Sequence, residues 1–263
     1  MIGTGLVSIT FRPLTPETIV ALVAQAGLDA IEWGGDVHVP HGDIHRAHAV
    51  RQMTVDAGIA IPSYGSYYRV GHGEPAPFEA IVETAVTLNA PVVRVWAGKQ
   101  GSAEADEAYW QRVIDDSWRI AALAGEAGLT IAYEYHPNTL TDTDAAAQRL
   151  LAAVDHDAVL TYWQPPVAQD VEANVRALQA ILPRLANIHV YSWRRTNGDT
   201  ERMPLDAMAG PWHRYLETVE AGGRQHYAMI EFVRGDTPEQ FLEDAETLKR
   251  WAAPYRPDLP VSA

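Results

Sequence analysis

The sequence predicts a closed barrel of eight parallel strands, each followed by a helix. Short apolar runs rich in β-branched residues alternate eight times with longer amphipathic segments, a pattern typical of parallel sheets with helical crossovers. The 263 residues also match the usual length of a (β/α)₈ barrel. An open doubly wound sheet is the competing class, but the first apolar run leads into SITFRPLT and not into a glycine-rich dinucleotide-binding turn.

The strand candidates are spaced so that one helix fits between each pair. These strands are expected at residues 6–10, 28–33, 59–66, 90–96, 129–135, 158–164, 185–193 and 226–233. The helices are expected near residues 15–26, 43–57, 76–88, 104–127, 141–153, 168–182, 211–221 and 237–252. The chain is therefore expected to form one (β/α)₈ domain over residues 1–263, with its active site at the carboxyl ends of the strands.

Local signals support several helix boundaries. Residues 15–17 (Thr-Pro-Glu) supply a capping hydroxyl, a proline at the first helical position and an early acidic residue, and residues 237–239 repeat this order. Gly27, Gly58 and Gly128 follow three helical segments at positions where a left-handed C-cap favours glycine. Each glycine is thus expected to mark the joint between a helix and the next strand.

Composition excludes several classes of protein. The chain has 20 Lys and Arg against 34 Asp and Glu, a formal charge of −14, which argues against a nucleic-acid partner. It has no cysteine, so a metal site would use histidine and oxygen ligands. Neither a signal peptide nor a membrane-spanning run is recognisable, so we expect a cytoplasmic protein with no membrane partner.

Polar residues stand at strand ends where parallel strands are usually apolar. Glu134, His189 and Glu231 end the fifth, seventh and eighth predicted strands. A buried carboxylate needs a cation or a hydrogen-bond donor, so these side chains are candidates for a shared site. The alternation of side chains along a strand lets each face the barrel axis while its apolar neighbours face the helices.

Four segments carry a resemblance to a known family. AIEWGGDVHVPHGD (30–43), YEYHPNTLTDT (133–143), NIHVYSW (187–193) and MIEFVRGDTPEQF (229–241) resemble the xylose isomerase-like superfamily, and the resemblance covers essentially the whole chain. It implies one divalent metal ion held by residues of the fifth to eighth strands: Glu134, the strand-six residue, His189 and Glu231. It also implies that Glu134 and Glu231 are the catalytic acid/base pair. Barrels of this family often pair, so a homodimer is an expected partner.

The sixth strand departs from the family pattern. Family members usually have Asp there, whereas this chain reads TYWQPPV, and Gln164 is the residue that best matches the aspartate. An amide oxygen can bind a hard cation, but Gln164 could instead contact substrate, and both readings stay open. Mn²⁺, Mg²⁺ or Co²⁺ suits an oxygen-rich site with one imidazole, and Zn²⁺ is an alternative.

Further residues are expected to contact a small carbohydrate substrate. The resemblance and the strand-end positions indicate Glu32, His38, Arg94, Trp96, His136 and Trp193. Trp96 and Trp193 are the tryptophans expected in the pocket, because aromatic faces stack on the C–H faces of sugars.

Four functions compete. The leading one is a metal-dependent isomerase or epimerase of a sugar or sugar phosphate, acting by proton abstraction next to a carbonyl through an enediolate. The alternative is a metal-dependent lyase that eliminates the aglycone of a 3-keto-glycoside, which the aromatic mouth mildly favours. An endonuclease-like phosphodiesterase and a non-catalytic sugar-binding barrel are less supported, the former because of the charge of −14.

Overall fold

A computed structural model describes residues 1–73, 77–166, 169–196 and 199–256. Eight parallel strands close into a barrel in which the first strand pairs with both the second strand and the last. The barrel strands are β1 (Ile2–Val7), β2 (Ala30–Gly34), β3 (Tyr64–Arg69), β4 (Val92–Trp96), β5 (Thr130–Glu134), β6 (Val159–Trp163), β7 (Leu185–Val190) and, numbered in chain order, β10 (His226–Ile230). The predicted fold class is confirmed.

Within the described residues, eight α-helices alternate with the barrel strands. They are α1 (Pro16–Ala26), α2 (Ile44–Asp56), α3 (Phe78–Leu88), α4 (Glu107–Glu126), α5 (Asp144–Val154), α6 (Val171–Ile181), α7 (Ala209–Ala221) and α8 (Pro238–Ala252). The starts predicted for the third helix at residue 76 and the sixth at residue 168 lie outside the described residues. No described helix is both long and apolar enough to cross a bilayer.

The first and third strands lie elsewhere than predicted. β1 ends at Val7, and residues 8–10 of the predicted strand belong to a 3₁₀ turn, Ser8–Phe11. Glycines make a segment a poor strand by propensity, yet a Cβ on Gly5 would lie 2.8 Å from the Ala30 carbonyl oxygen, so the close approach of β1 and β2 requires glycine there. β3 starts at Tyr64, and the earlier part of the predicted run contributes one bridge, between Ala30 and Ala60.

A two-stranded hairpin follows β7 and was not predicted. It consists of β8 (Trp193–Thr196) and β9 (Asp199–Arg202), paired antiparallel. Cross-strand pairs place Trp193 opposite Arg202 and Arg195 opposite Thr200. The predicted seventh strand ran to residue 193 and merged the end of the barrel strand with the start of this hairpin.

The predicted caps are present. The Thr15 and Thr237 hydroxyls accept hydrogen bonds from the third residues of α1 and α8, and Gly27, Gly58 and Gly128 have φ of 65°, 74° and 73°.

Two layers of side chains fill the molecule. A large apolar core lies between strands and helices, and a smaller cluster that includes Ala132, Tyr162 and Met229 lies inside the barrel. Each large apolar side chain that becomes fully buried stabilises the fold by about 1.5–3 kcal/mol. This apolar burial allows the barrel to hold charged groups at its carboxyl end, since buried ion pairs add little stability of their own.

Candidate metal centre

A buried arginine joins carboxylates from two different strands. Arg94 on β4 donates from Nε to Glu32 Oε1 on β2 at 2.7 Å, and its Nη1 contacts Glu134 Oε2 at the end of β5. The Ser63 hydroxyl donates to the other oxygen of Glu32 at 2.7 Å, and Trp96 Nε1 donates to Glu134 Oε2 at 2.5 Å. These bonds fix the orientation of both carboxylates.

Glu134, His189 and Glu231 converge beside this network. His189 Nδ1 lies 3.6 Å from Glu134 Oε1 and 3.5 Å from Glu231 Oε2, and all three side chains are buried. His189 Nε2 lies 3.8 Å from Glu32 Oε1. Among the described residues, neither ring nitrogen of His189 has a hydrogen-bond partner. The barrel therefore brings together the three side chains that the sequence placed at the ends of the fifth, seventh and eighth strands.

The charges of the site shift the pKa values of its members. Burial alone would raise the pKa of Glu134, but the Arg94 guanidinium, with His189, holds it well below its ordinary value. The pKa of Glu32 is lowered for the same reasons, against the same effect of burial. Burial would lower the pKa of His189, and the carboxylates of Glu231, Glu134 and Glu32 instead raise it well above its ordinary value.

The donor set fits a divalent cation. Three buried carboxylates (Glu32, Glu134 and Glu231) face one guanidinium (Arg94), which leaves two negative charges when His189 is neutral. One ligand atom from each of Glu134, His189 and Glu231 lies within 4.8 Å of the other two. Two ligands bound at about 2.1 Å to one ion lie between about 3 and 4.2 Å apart, so the separations of 3.5 and 3.6 Å suit a shared ion. This buried cluster could hold a metal ion.

Gln164 lies at the end of β6 with its amide direction fixed. Its Nε2 donates to the backbone carbonyl of Tyr135 at 2.5 Å, and a carbonyl can only accept, so the amide oxygen must face elsewhere. That oxygen is buried and has no protein partner among the described residues. Its predicted role as a metal ligand stays a prediction.

The residues predicted to contact substrate divide into three groups. Glu32 and Arg94 belong to the buried ion-pair network. The rings of Trp96 and His136 are in contact with centroids 4.6 Å apart and a tilt of 34°, and Trp193 stacks on Tyr191 at 4.1 Å and 20°. The third group is His38 alone.

His38 is buried, and its Nδ1 lies 3.0 Å from the hydroxyl of Ser8, which also accepts from the Gly34 amide. His38 is thus held against the turn that follows β1, and its predicted contact with substrate stays a prediction.

A cavity of about 440 Å³ opens beside the centre. Its lining includes Tyr135, His136, Gln164, Tyr191 and Trp193. These residues follow β5, β6 and β7, and two of these strands, β5 and β7, carry Glu134 and His189 of the buried cluster. The hairpin adds Arg195 and Thr200 to its wall. The geometry thus provides space for the part of a substrate that extends away from the charged cluster.

Two residues of the site were missed in the sequence. Asp142, in the loop after β5, lines the cavity, and its only signal was a polar loop after a strand end. Gly65 on β3 lies opposite Arg94, and a Cβ there would be 2.6 Å from Arg94 Nη2 and 3.1 Å from Glu32 Oε1. Glycine at this position makes room for the buried guanidinium.

A known protein matches part of this sequence. A 3-dehydroshikimate dehydratase from Bacillus anthracis is 36% identical over 64 residues, which is 24% of this chain and 23% of that protein, so the match spans about a quarter of the relative's length.

Solved structures resemble the whole fold. The structure of a probable 3-DHS dehydratase involved in petrobactin synthesis, from Bacillus anthracis, has a TM-score of 0.77 at 20% identity, covering 95% of this chain and 99% of that one. D-psicose 3-epimerase with D-tagatose from Clostridium cellulolyticum H10 has a TM-score of 0.70 at 14% identity, covering 95% and 98%. At these identities the likeness establishes the fold. The family described as xylose isomerase-like TIM barrel matches residues 20–251, and the chain belongs to that family.

Proposed function

We propose that this protein is a divalent-metal-dependent enzyme that removes the proton next to the carbonyl of a hydroxylated ketone. In its leading form the reaction isomerises or epimerises a sugar. The observation that carries the proposal is the buried group of Glu134, His189 and Glu231. Together with Glu32 and Arg94 this group carries a net charge of −2 when His189 is neutral, the form in which a histidine binds a metal. Buried charge of this kind destabilises a fold unless a ligand compensates it, so a function is the simplest reason for its presence.

The proposed ligands are Glu134, His189 and Glu231, with Gln164 as a fourth candidate through its amide oxygen. Oxygen ligands with one imidazole favour Mn²⁺, Mg²⁺ or Co²⁺, with Zn²⁺ as an alternative. When bound, such an ion would polarise the substrate carbonyl and so make the neighbouring C–H bond more acidic.

Glu231 is the proposed base. Both carboxylates of the predicted acid/base pair direct one oxygen towards His189 Nδ1, but they differ in their second oxygen. The second oxygen of Glu134 receives Arg94 and Trp96, which keep that carboxylate ionised and fixed. A carboxylate with a strongly lowered pKa is a weak base, so it accepts a proton from carbon poorly near neutral pH. Glu231 therefore takes the proton, and the simplest isomerisation returns it from Glu231 to the next carbon on the same face.

Elimination is a second candidate that this asymmetry supports. Epimerisation by the predicted pair needs Glu134 to deliver a proton from the opposite face, whereas removal of a proton followed by loss of a leaving group needs one base. The relative that is 36% identical over 64 residues is named a dehydratase, which is an enzyme of elimination. The aromatic wall of Tyr191 and Trp193 also suits the aglycone of a 3-keto-glycoside.

Solvent isotope exchange separates the two reactions. The metal-loaded protein is incubated in D₂O with a panel of ketoses and 3-keto-glycosides, and products are followed by NMR and mass spectrometry. Isomerisation or epimerisation predicts deuterium next to the carbonyl with no group released, and elimination predicts a released group and an unsaturated ketone. Glu231→Gln is the matched control and should abolish both. Exchange that is equal in this variant, or that persists after chelation of the metal, would contradict the proposal.

A further inference from the structure

The backbone next to the proposed base is strained. Among the described residues, two aromatic side chains stand at positive φ, Tyr67 at 58° and Phe232 at 59°. A bulky residue rarely takes this left-handed conformation, and such residues cluster where a site needs a particular backbone direction. Phe232 directly follows Glu231. The centre of the Tyr67 ring lies 5.2 Å from the guanidinium carbon of Arg94. Both strained residues therefore lie beside the buried cluster.

Hydrogen bonds hold the peptide groups on both sides of Glu231. The Glu231 amide donates to the Val190 carbonyl of β7 at 3.0 Å. The Phe232 amide donates to the hydroxyl of Thr10, also at 3.0 Å. Thr10 is buried in the 3₁₀ turn that follows β1, so a side chain supplies the acceptor after β1 itself has ended. The direction of Glu231 is thus set by one bond on each side of β10.

Contacts from the hairpin hold the Phe232 ring. The Arg202 guanidinium carbon lies 4.4 Å from the centre of this ring, and Arg202 also pairs with Asp236 in the same loop. The Trp193 ring, on the opposite strand of the hairpin, has its centre 6.2 Å from that of Phe232. Phe232 also packs against the apolar cluster inside the barrel. Glycine would take this φ without strain but would leave the turn free to move, whereas a ring held on these sides fixes it.

We propose that Thr10, Phe232 and Arg202 are positioning residues. They keep the chain after Glu231 in its left-handed turn, and this turn directs the Glu231 carboxylate at His189. The quantity that they control is the separation of 3.5 Å between Glu231 Oε2 and His189 Nδ1. Arg202 thereby links the hairpin to the position of the base. The inference rests on the proposed function only for the use that is made of this carboxylate.

Thr10→Val tests the bond to the Phe232 amide, because valine has the shape of threonine without the hydroxyl. In crystals of the chelator-treated variant, Glu231 Oε2 should lie at least about 1 Å further from His189 Nδ1 than in the wild type. The Kd of Mn²⁺, measured by calorimetry, should rise about tenfold, the scale of one lost buried hydrogen bond. Deuterium exchange at saturating Mn²⁺ should fall about 10²-fold, the scale of a displacement of about 1 Å at a reacting group. Thr10→Ser keeps the hydroxyl and should restore the wild-type values.

Thr84→Val is the matched control. The Thr84 hydroxyl lies on α3, one of the outer helices, is buried, and accepts from the Gly42 amide at 2.9 Å. Both valine variants remove the acceptor of a backbone amide, so both should lose a similar amount of stability. Only Thr10→Val should displace Glu231 and weaken the binding of Mn²⁺.

Arg202→Met tests the link to the hairpin at a partly exposed side chain that tolerates replacement. It should raise the Kd of Mn²⁺ about fivefold, the upper scale of an exposed cation–π contact. Arg202→Lys keeps a cation over the ring and should stay within about twofold of the wild type. The control is Arg194→Met on the same hairpin, which removes an exposed pair with Glu201 at 2.7 Å and should have no effect.

Three results would overturn the positioning role: an unchanged distance between Glu231 and His189 in Thr10→Val, equal Kd values of Mn²⁺ for Thr10→Val and Thr84→Val, or failure of Thr10→Ser to restore the wild-type values. If Thr10→Val does not fold, equal Kd values for Arg202→Met and Arg194→Met overturn it. Each of these results leaves a wild-type protein that binds Mn²⁺ and exchanges deuterium. If the wild type does neither, the proposed function fails, and the distance between Glu231 and His189 in crystals of the variants still decides the positioning role.

Discussion

The two ends of the barrel each carry a cavity, and the larger one is at the end without the charged cluster. At the amino end, about 530 Å³ is lined mainly by apolar residues such as Leu88 and Leu160, together with Asn187. The Asn187 amide is satisfied, since it donates to the Tyr162 hydroxyl and accepts from the Tyr227 amide, both at 2.8 Å.

At the carboxyl end the cavity is smaller, about 440 Å³, but Gln164 lines it with an unsatisfied oxygen and His189 lies close by with both ring nitrogens unsatisfied. The amino end also has a buried atom without a partner among the described residues, Nε2 of His226, so the comparison teaches that the buried cluster of charged groups locates the site and that the volume of a cavity does not.

Substitutions at the two ends of the barrel are expected to differ most in their effect on the free energy of unfolding. Arg94→Met leaves Glu32 and Glu134 buried without their cation, and we expect the free energy of unfolding to fall by about 3–5 kcal/mol. Arg224→Met at the amino end removes an exposed side chain that donates to the Pro183 carbonyl. This substitution should change the free energy of unfolding by less than about 0.5 kcal/mol. Urea unfolding of both variants in the presence of a chelator measures the difference. Equal stabilities would show that the carboxylates do not depend on Arg94.

The second largest difference between substitutions at the two ends is expected in enzymatic turnover. Glu231→Gln removes the proposed base and should lower turnover at least about 10²-fold, or about 2.7 kcal/mol in activation free energy. Arg224→Gln at the amino end should leave turnover within about twofold. The rate of deuterium incorporation from D₂O is the measurement. A Glu231→Gln variant with undiminished turnover would remove Glu231 from the mechanism.

Much of this arrangement could be predicted from the sequence, for identifiable reasons. Glu134, His189 and Glu231 stand at strand ends where apolar residues are normal, and alternation along a strand fixes the face that each side chain takes. Barrel closure then brings strand ends together without further information. The helix caps were predictable because they depend on neighbours within three residues.

Other features depend on contacts between distant segments and could not be predicted. The bond from Arg94 to both Glu32 and Glu134 requires the register of three strands and the absence of a side chain at Gly65. Asp142 reaches the cavity from a loop whose path no periodic pattern describes. β1 contains two glycines that propensity argues against, and their close approach to neighbouring side chains and backbone is visible only in three dimensions.

The smallest expected effect concerns pH and lies at the amino end. Burial lowers the pKa of His226, whose Nδ1 lies 2.8 Å from the Ala186 carbonyl oxygen. In the unfolded chain a histidine has a pKa of about 6.5, so below that pH it binds a proton that the buried His226 does not bind. The free energy of unfolding therefore decreases as the pH falls below about 6.5.

His226→Asn can keep the bond to Ala186 and should reduce this loss by up to about 2 kcal/mol at pH 5. Other buried histidines titrate equally in both proteins, so the difference between the two pH profiles of unfolding free energy isolates His226. Parallel profiles would contradict the assignment.

Calorimetric titration of chelator-treated protein with Mn²⁺, in parallel with His189→Asn, tests the metal centre most directly. The proposed centre predicts one ion bound per chain and, at 100-fold excess over Kd, about 2.7 kcal/mol of added stability, both lost in the variant. Failure of the wild-type chain to bind Mn²⁺, Mg²⁺, Co²⁺ or Zn²⁺, or binding unchanged in His189→Asn, would contradict it.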